Sequence, residues 1–304
     1  MSAWTPDRIP DLSGKTILVT GANSGLGLES TRLLAGRGAQ VVMACRSRDK
    51  AGAAIRSIEA KQPDAELVFM ELDLADLESV RSFVDAFEQR FPALDVLLNN
   101  AGLMAPPLMH TRQGFEIQFG TNHLGHFALT GLLLERLEAA GEPRVVCVSS
   151  TAHRIGRLDF DNLDARKGYS RWRFYGQSKL ANLMFALELH RRLRERGSRI
   201  RALAAHPGYA ATNLQGYVPG GSLFNALMAQ SQVRGCYPGV FAATAPEAES
   251  GGYYGPDGFM EMRGRHPAPA FVRGLARDRD LARRLWDVSE ELTGVHYLDR
   301  AETA

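Results

Sequence analysis

Cysteine is scarce in this chain of 304 residues: only Cys45, Cys147 and Cys236 occur, an odd number with no CxxC or metal-type spacing. That pattern argues against a disulfide framework and for a reduced, cytoplasmic setting. Long hydrophobic runs are missing as well. No stretch approaches the roughly 18 to 20 apolar residues of a membrane span, so no membrane span is expected. The first 14 residues carry Asp7, Arg8 and Asp11 in place of an apolar signal core and read as a short leader into the first strand. An excess of one charge is absent too. The 36 basic residues offset 34 acidic ones and lie scattered among them, which speaks against a nucleic-acid partner. Linkers rich in Pro, Gly and Ser, internal repeats and low-complexity tracts are lacking through the first two thirds, so residues 1–304 read as one domain. Apolar residues at 45% and charged ones at 23% are ordinary for a folded protein.

What is present is alternation. Short apolar runs at Thr16–Thr20, Ala39–Ala44, Glu66–Leu72, Leu94–Asn99, Arg144–Ser149 and Ile200–His206 are separated by amphipathic stretches of helical length at 25–37, 48–61, 77–90, 124–139 and 175–196. Pro63 closes the second helix, because proline cannot continue it. Strands apolar nearly throughout and alternating with helices predict an α/β fold: a doubly wound Rossmann-type domain of about seven strands in a mostly parallel sheet, order 3-2-1-4-5-6-7, with helices on both faces. Gly252–Gly255 is a candidate last strand, and 277–293 a closing helix with Leu281, Leu285, Trp286 and Leu292 on one side. From 216 to 269 the pattern weakens as Gly and Pro crowd together. That segment, with a helix at 223–230, is expected to form a substrate lid.

Directly after the first strand stand Gly21, Asn23, Ser24, Gly25, Leu26 and Gly27 in a GxxxGxG turn that opens a helix. Glycines there let the backbone approach a pyrophosphate, whose charge then rests on helix N-terminal N–H groups. The second strand ends at Cys45-Arg46 with no carboxylate. An acid there would bond a ribose 2′-hydroxyl, whereas Arg46, with Arg48 close behind, suits a 2′-phosphate. The expected cofactor is therefore NADP in preference to NAD, the alternative being that both arginines are solvated loop charges. Asp73 and Leu74 end strand three, where a carboxylate can accept from the adenine amino group, and Asn100, Ala101 and Gly102 end strand four, where small residues admit the cofactor.

Tyr175 and Lys179 lie four apart on the long helix and so share a face. An ammonium beside a phenol lowers the phenol pKa from about 10, making the pair a proton donor. Ser150, ending strand five, is placed to bond a substrate carbonyl, and Asn122 to hold a water against Lys179. His123 and His126 lack the further ligands of a metal site, so no metal is expected.

Together these residues resemble the short-chain dehydrogenase/reductase family. The resemblance spans about 15–212: TGxxxGxG at Thr20 to Gly27, NNAG at Asn99 to Gly102, Asn122, Ser150, Tyr175 with Lys179, and Pro207-Gly208 followed by Thr212. It implies that Asn122, Ser150, Tyr175 and Lys179 form a catalytic tetrad, that Lys179 bonds the nicotinamide ribose, and that Pro207, Gly208 and Thr212 lie against the nicotinamide. Ala44-Cys-Arg46, Asn122 to Phe127, Val148 to His153, Tyr169-Ser170 and Ser178 to Asn182 are similar to the branch of retinol dehydrogenases and their relatives, as are Arg284-Leu-Trp286 and Ser289. Ser150 and Tyr175 stand about twice the usual family distance apart in sequence, a longer interval common in this branch. In the added segment, about 154–174, Phe160, Tyr169, Trp172 and Phe174 either border the substrate entrance or pack the loop down. The implied activity is NADP-dependent interconversion of an alcohol and its aldehyde or ketone, on a hydrophobic small molecule. The alternatives are a dinucleotide-binding sensor or scaffold, and a C=C reductase like the protochlorophyllide reductases. Pairing through the helices at 124–139 and 175–196 would give a homodimer or homotetramer.

Overall fold

The structure is a computed structural model that describes residues 4–209 and 231–298. Eight strands form one sheet: β1 Thr16–Thr20, β2 Gln40–Cys45, β3 Leu67–Glu71, β4 Val96–Asn99, β5 Arg144–Val148, β6 Arg201–Ala205, β7 Tyr253–Pro256 and β8 Pro267–Pro269. Their order is β3-β2-β1-β4-β5-β6-β7-β8. All neighbours pair in parallel except β7 and β8. The expected seven-strand order is there, extended by one short antiparallel edge strand rich in proline, which cannot donate to a further ladder partner and so ends the sheet.

Among the described residues the α-helices are α1 Gly25–Ala35, α2 Arg48–Glu59, α3 Leu77–Glu88, α4 Ile117–Phe119, α5 Gly125–Leu132, α6 Leu134–Glu138, α7 Arg171–Glu195, α8 Gln232–Gly235, α9 Tyr237–Thr244 and α10 Arg279–Thr293. Side chains alternate across each strand, and both faces are covered. Leu18, Val42, Leu97 and Val145 pack with α3, α5, α7 and α10 in one core, while Ile17, Val19, Val41 and Leu98 pack with α1, α9 and Trp4 in the other. This is why the strands read as continuous apolar runs. Charge caps the helices where sequence allows: Asp76 and Asp278 accept backbone N–H bonds at the starts of α3 and α10.

Two expectations change. The fourth long helix does not begin at 124. It starts at Ile117, where the Glu116 side chain caps two N–H groups, and passes through a single π-turn at Gly120–Leu124 before α5. The 216–269 segment is only partly a candidate for a lid. Its stretch 216–230, with the expected helix at 223–230, lies outside the described residues. Its described part supplies α9, buried against β5 and β6, and the strands β7 and β8. Apolar Val240, Phe241, Ala242 and Ala243 place α9 in the core.

The closing helix is fastened by Trp286. Its ring meets Phe127, Phe185 and Tyr297 at centroid distances of 5.1, 5.8 and 4.8 Å, the Arg192 guanidinium lies 4.2 Å from it, and its Nε1–H donates to Glu290. Trp286→Ala should destabilise the protein by about 3–5 kcal/mol, read as a lower urea midpoint with an unchanged slope.

Candidate active site

β1 lies between β2 and β4, and the chain runs outward from β1 through β2 and β3 before crossing back to β4 on the other side, so a crevice opens at the carboxyl ends of β1 and β4. Within it lies a cleft of about 280 Å³ lined by Gly21, Asn23, Ser24, Gly25, Leu26, Gly27, Arg46, Asp73, Leu74, Asn100, Ala101 and Gly102. Every residue expected to hold the dinucleotide up to the end of β4 lies on this one surface. Ala44, Cys45, Leu72, Leu103 and Thr121, none of them expected as a cofactor contact, line it too.

The turn has the left-handed backbone that glycine permits, with φ of 66° at Gly21 and 57° at Gly25. A Cβ on Gly27 would collide with the Gly21 carbonyl and approach Asn100 Nδ2 to 2.7 Å, so α1 can start this close to β4 only with glycine there. Ser24 precedes α1 without a side-chain cap bond, which leaves the first-turn N–H groups directed at the cleft.

Thr20 organises the cleft from below. Its hydroxyl oxygen accepts the backbone N–H of Asn100 and of Ala101, each at 2.9 Å, and it lies 2.9 Å from His126 Nε2. His126 Nδ1 is 2.9 Å from the Asn122 carbonyl, so Nδ1 carries the proton and Nε2 accepts from Thr20. Burial holds this imidazole neutral, with its pKa lowered to about 4. The polar threonine in an apolar strand was the visible signal for this hub. The histidine four residues beyond Asn122 gave no hint of its partner. His123 is also engaged, Nε2 lying 2.8 Å from Ser289 Oγ.

Asn122 sits inside the π-turn, a feature often found at functional sites. Its Oδ1 accepts the Leu103 N–H at 2.7 Å, and its Nδ2 donates to the Leu103 carbonyl and to Ser178 Oγ, both at 3.0 Å. The carboxamide therefore braces the residue after Gly102 against α7.

The helix α7 starts four residues before Tyr175, placing Tyr175 and Lys179 in its second and third turns, both buried. Lys179 Nζ donates to the Val148 carbonyl at 3.2 Å and lies 5.8 Å from the Tyr175 ring centre. Ser150 is the side chain that acts to lower the Tyr175 phenol pKa. Ser150 Oγ also accepts from Ala152 N–H at 3.2 Å as the cap of a 3₁₀ turn. The three expected groups thus converge at the ends of β5 and α7. The expected depression of the phenol pKa is corrected, however: burial outweighs the lowering influence of Ser150 and holds it above its ordinary value, while burial brings Lys179 down to about 8. Lys179 spends its donor on a backbone carbonyl, and the pair rests as a neutral acid above a weakened cation.

Pro207 and Gly208 follow β6 on the same edge, and Gly208 N–H donates to His206 Nδ1 at 3.1 Å. Thr212 lies outside the described residues. Of the aromatics in 154–174, three pack inward. Phe174 is buried against Tyr169, Tyr169 OH donates to the Pro106 carbonyl, and Phe160 lies 4.4 Å below the Arg284 guanidinium. Only Trp172 remains 47% exposed, edge-on to Tyr175 at 6.1 Å.

The cradle, the uncapped α1 terminus and Thr121 Oγ1, buried and without a hydrogen-bond partner, fit a dinucleotide, and the fold with this site defines a dinucleotide-dependent oxidoreductase of the doubly wound class. The short chain dehydrogenase family model matches residues 15–220, and the chain belongs to that family. It is 39% identical over 306 residues to retinol dehydrogenase 14 of Homo sapiens, covering 93% of this chain and 88% of that protein. A crystal structure of an uncharacterized protein from Mycobacterium Paratuberculosis is 43% identical with a TM-score of 0.83, covering 97% of this chain and 99% of that one. A short chain dehydrogenase from Shigella flexneri 2a complexed with NADP shares the fold, with a TM-score of 0.65 at 21% identity over 81% of this chain and 98% of that one. Among the described residues no helix is long and apolar enough to cross a membrane.

Thr20→Val keeps the shape of the hub but removes its polar oxygen. Leaving the Ala101 N–H and His126 Nε2 without a partner should cost about 1–3 kcal/mol and weaken dinucleotide binding, checked by urea unfolding and by fluorescence titration.

Proposed function

We propose that this short-chain dehydrogenase reduces a hydrophobic aldehyde or ketone with NADPH, or oxidises the corresponding alcohol, with Tyr175 as the acid, Ser150 holding the carbonyl oxygen, and Lys179 and Asn122 in support. The observation that carries the reading is the convergence of the Ser150-capped turn on α7 at buried Tyr175 and Lys179, with Lys179 Nζ 5.8 Å from the Tyr175 ring centre. When bound, the reduced nicotinamide supplies the hydride, and the protein supplies position and the proton.

Ser150 Oγ has one lone pair engaged by Ala152 N–H, so its own hydrogen is free to point at Tyr175 or at a carbonyl oxygen. A substrate oxygen between the two hydroxyls accepts from both. The raised phenol pKa keeps Tyr175 protonated until negative charge develops on that oxygen, and the proton then moves to it. The phenolate left behind is stabilised by Lys179 while that side chain is charged. Asn122 keeps Leu103 and Ser178 fixed, and with them the wall and helix turn that hold Lys179 in register. Pro207 and Gly208 border the nicotinamide in this reading, as does Thr212. Exposed Trp172 and Ile155 give the mouth beside Tyr175 an apolar character suited to a hydrophobic substrate. Free, buried Cys45, Cys147 and Cys236 support a cytoplasmic location.

NADP preference rests on Arg46. Its side chain is 65% exposed at the cleft rim and lies 3.9 Å from Asp73. A 2′-phosphate there meets a guanidinium whose existing ion pair is long and solvated, hence weak. Arg46→Ala should weaken NADPH binding roughly 10- to 100-fold, the loss of one charge-assisted bond, and leave NADH nearly unchanged. Equal losses for both cofactors would assign Arg46 a structural role instead.

Following NADPH absorbance across short aliphatic, aromatic, isoprenoid and steroid carbonyls tests the activity. Tyr175→Phe should lose about 10²–10⁴ of turnover while retaining NADPH affinity, and turnover within threefold of wild type removes Tyr175 from proton transfer. Because Lys179 loses its charge near pH 8 instead of 10.5, the reductive kcat/KM should be level below about pH 8 and decline above it. A profile flat to pH 10 would show that the charge on Lys179 is not needed.

A further inference from the structure

The loop between β7 and β8 contains two consecutive non-glycine residues in the left-handed region, Met260 at φ 50° and Glu261 at φ 58°. Such a backbone persists only where its surroundings over-determine it. Here the surroundings act on one carboxylate. Glu261 Oε2 accepts from Arg154 at 2.6 Å and from His206 Nε2 at 3.1 Å, and Oε1 accepts the Phe271 backbone N–H at 2.7 Å. His206 is fully buried, and since its Nδ1 accepts from Gly208 N–H, its Nε2 must carry the proton that Glu261 receives. The same loop lies directly on the β6 exit: Met262 O accepts from Tyr209 N–H at 2.7 Å, and a Cβ on Gly208 would reach within 3.0 Å of the Glu261 carbonyl.

Arg154 belongs to the 3₁₀ turn capped by Ser150. His153 of that turn bonds the Ser150 carbonyl through Nδ1 at 2.7 Å, and the Tyr253 ring packs between His153 and His206, at 5.5 and 5.2 Å. Glu261 therefore joins two loops that approach the reacting atoms from different strands, one ending β5 with Ser150 and one ending β6 with Pro207-Gly208.

We propose that Glu261 is a positioning residue for the reaction. Its carboxylate locks the Pro207-Gly208 loop against the Ser150 turn and so fixes the separation between the nicotinamide wall and the carbonyl-holding hydroxyl. The inference rests on the function proposed above, which makes those two loops the two sides of the hydride path. A charged clamp explains why a strained backbone is kept at a position where glycine would relax it.

The test compares wild type with Glu261→Gln, Glu261→Asp and Glu261→Gly, with Tyr175→Phe in parallel. Glutamine keeps the size but removes the charge and one of the two acceptor oxygens that serve Arg154, His206 and the Phe271 N–H, aspartate keeps the charge, and glycine takes φ near 58° without strain, so it folds even if the glutamine variant does not. Loosening the path by even a fraction of an ångström should lower kcat about tenfold or more, with the KM for NADPH and the NADPH Kd within about threefold of wild type and partial recovery in Glu261→Asp. Hydrogen exchange at the Gly208 amide, whose acceptor is His206, should quicken in the glutamine and glycine variants. Turnover within threefold of wild type in the folded variants, or unchanged exchange at Gly208, overturns the positioning role. Wild-type turnover that persists in Tyr175→Phe would instead overturn the reaction reading, while the Gly208 exchange still reports whether the clamp exists.

Discussion

The hydroxyl of Thr20 is the contact on which the site depends. A parallel sheet that winds both ways from β1 necessarily leaves its carboxyl edge open between β1 and β4, and an open edge presents backbone N–H groups that need partners. Thr20 takes those of Asn100 and Ala101 and passes its own hydrogen to His126. Through His126 the bond reaches the Asn122 carbonyl, and through the Asn122 carboxamide it reaches Leu103 and Ser178. One side chain thus links the glycine turn, the floor of the cleft and the helix that carries Tyr175. Because Thr20, His126, Asn122 and Ser178 are buried and hydrogen-bonded to one another or to the backbone, displacement of any one leaves polar groups without partners, which is how a network of this kind enforces one geometry.

Burial sets the acid–base character of the pair above that network. Tyr175 and Lys179 lie on one face of α7 because four residues make about one turn, but the direction of their pKa shifts comes from burial, which raises the phenol and lowers the ammonium. Ser149 Oγ donates to the Lys179 carbonyl, and Asn182 shares the Val148 carbonyl with the Lys179 ammonium. A buried ammonium on one neutral acceptor is weakened, and a buried phenol is kept protonated. The arrangement suits proton delivery to an oxygen on which charge is building, since the acid holds its proton until that moment.

The fold and the dinucleotide side of the site were legible in the sequence because both rest on local rules. Strand runs, helix spacing and the glycine turn each require particular residues at fixed offsets, and the structure brings Gly21 to Gly27, Arg46, Asp73 and Asn100 to Gly102 onto one surface. The π-turn at Gly120–Leu124 was hidden, because an extra residue in a helical turn changes the ladder without changing the apolar pattern. So was the placement of α9, which the glycines and prolines around it disguised as loop although Val240 to Ala243 are core. His126 and Glu261 were illegible for a different reason: their partners, Thr20 and the Arg154–His206 pair, are over fifty residues away, and no spacing rule spans such distances.

Those long-range pairs also explain how substrate selection can vary while the chemistry stays fixed. The segment 154–174 divides its aromatics between two tasks: Phe160, Tyr169 and Phe174 anchor the loop, which frees Trp172 to stand beside Tyr175. On the opposite side, the β7–β8 loop carries Phe259 and Met260 outward while Glu261 reaches inward. The Arg154–Glu261 pair is where these two segments meet. Exposed apolar residues on either side of that pair can be exchanged at little cost to folding, because surface substitutions away from caps and buried networks are near neutral. The pair itself cannot change so freely, since a half-buried carboxylate stripped of its arginine keeps the desolvation penalty without the compensating charge. Under the proposed function, the side chains flanking this ionic joint are the ones that would select a substrate, and the joint is what would keep it aligned with Ser150 and Tyr175.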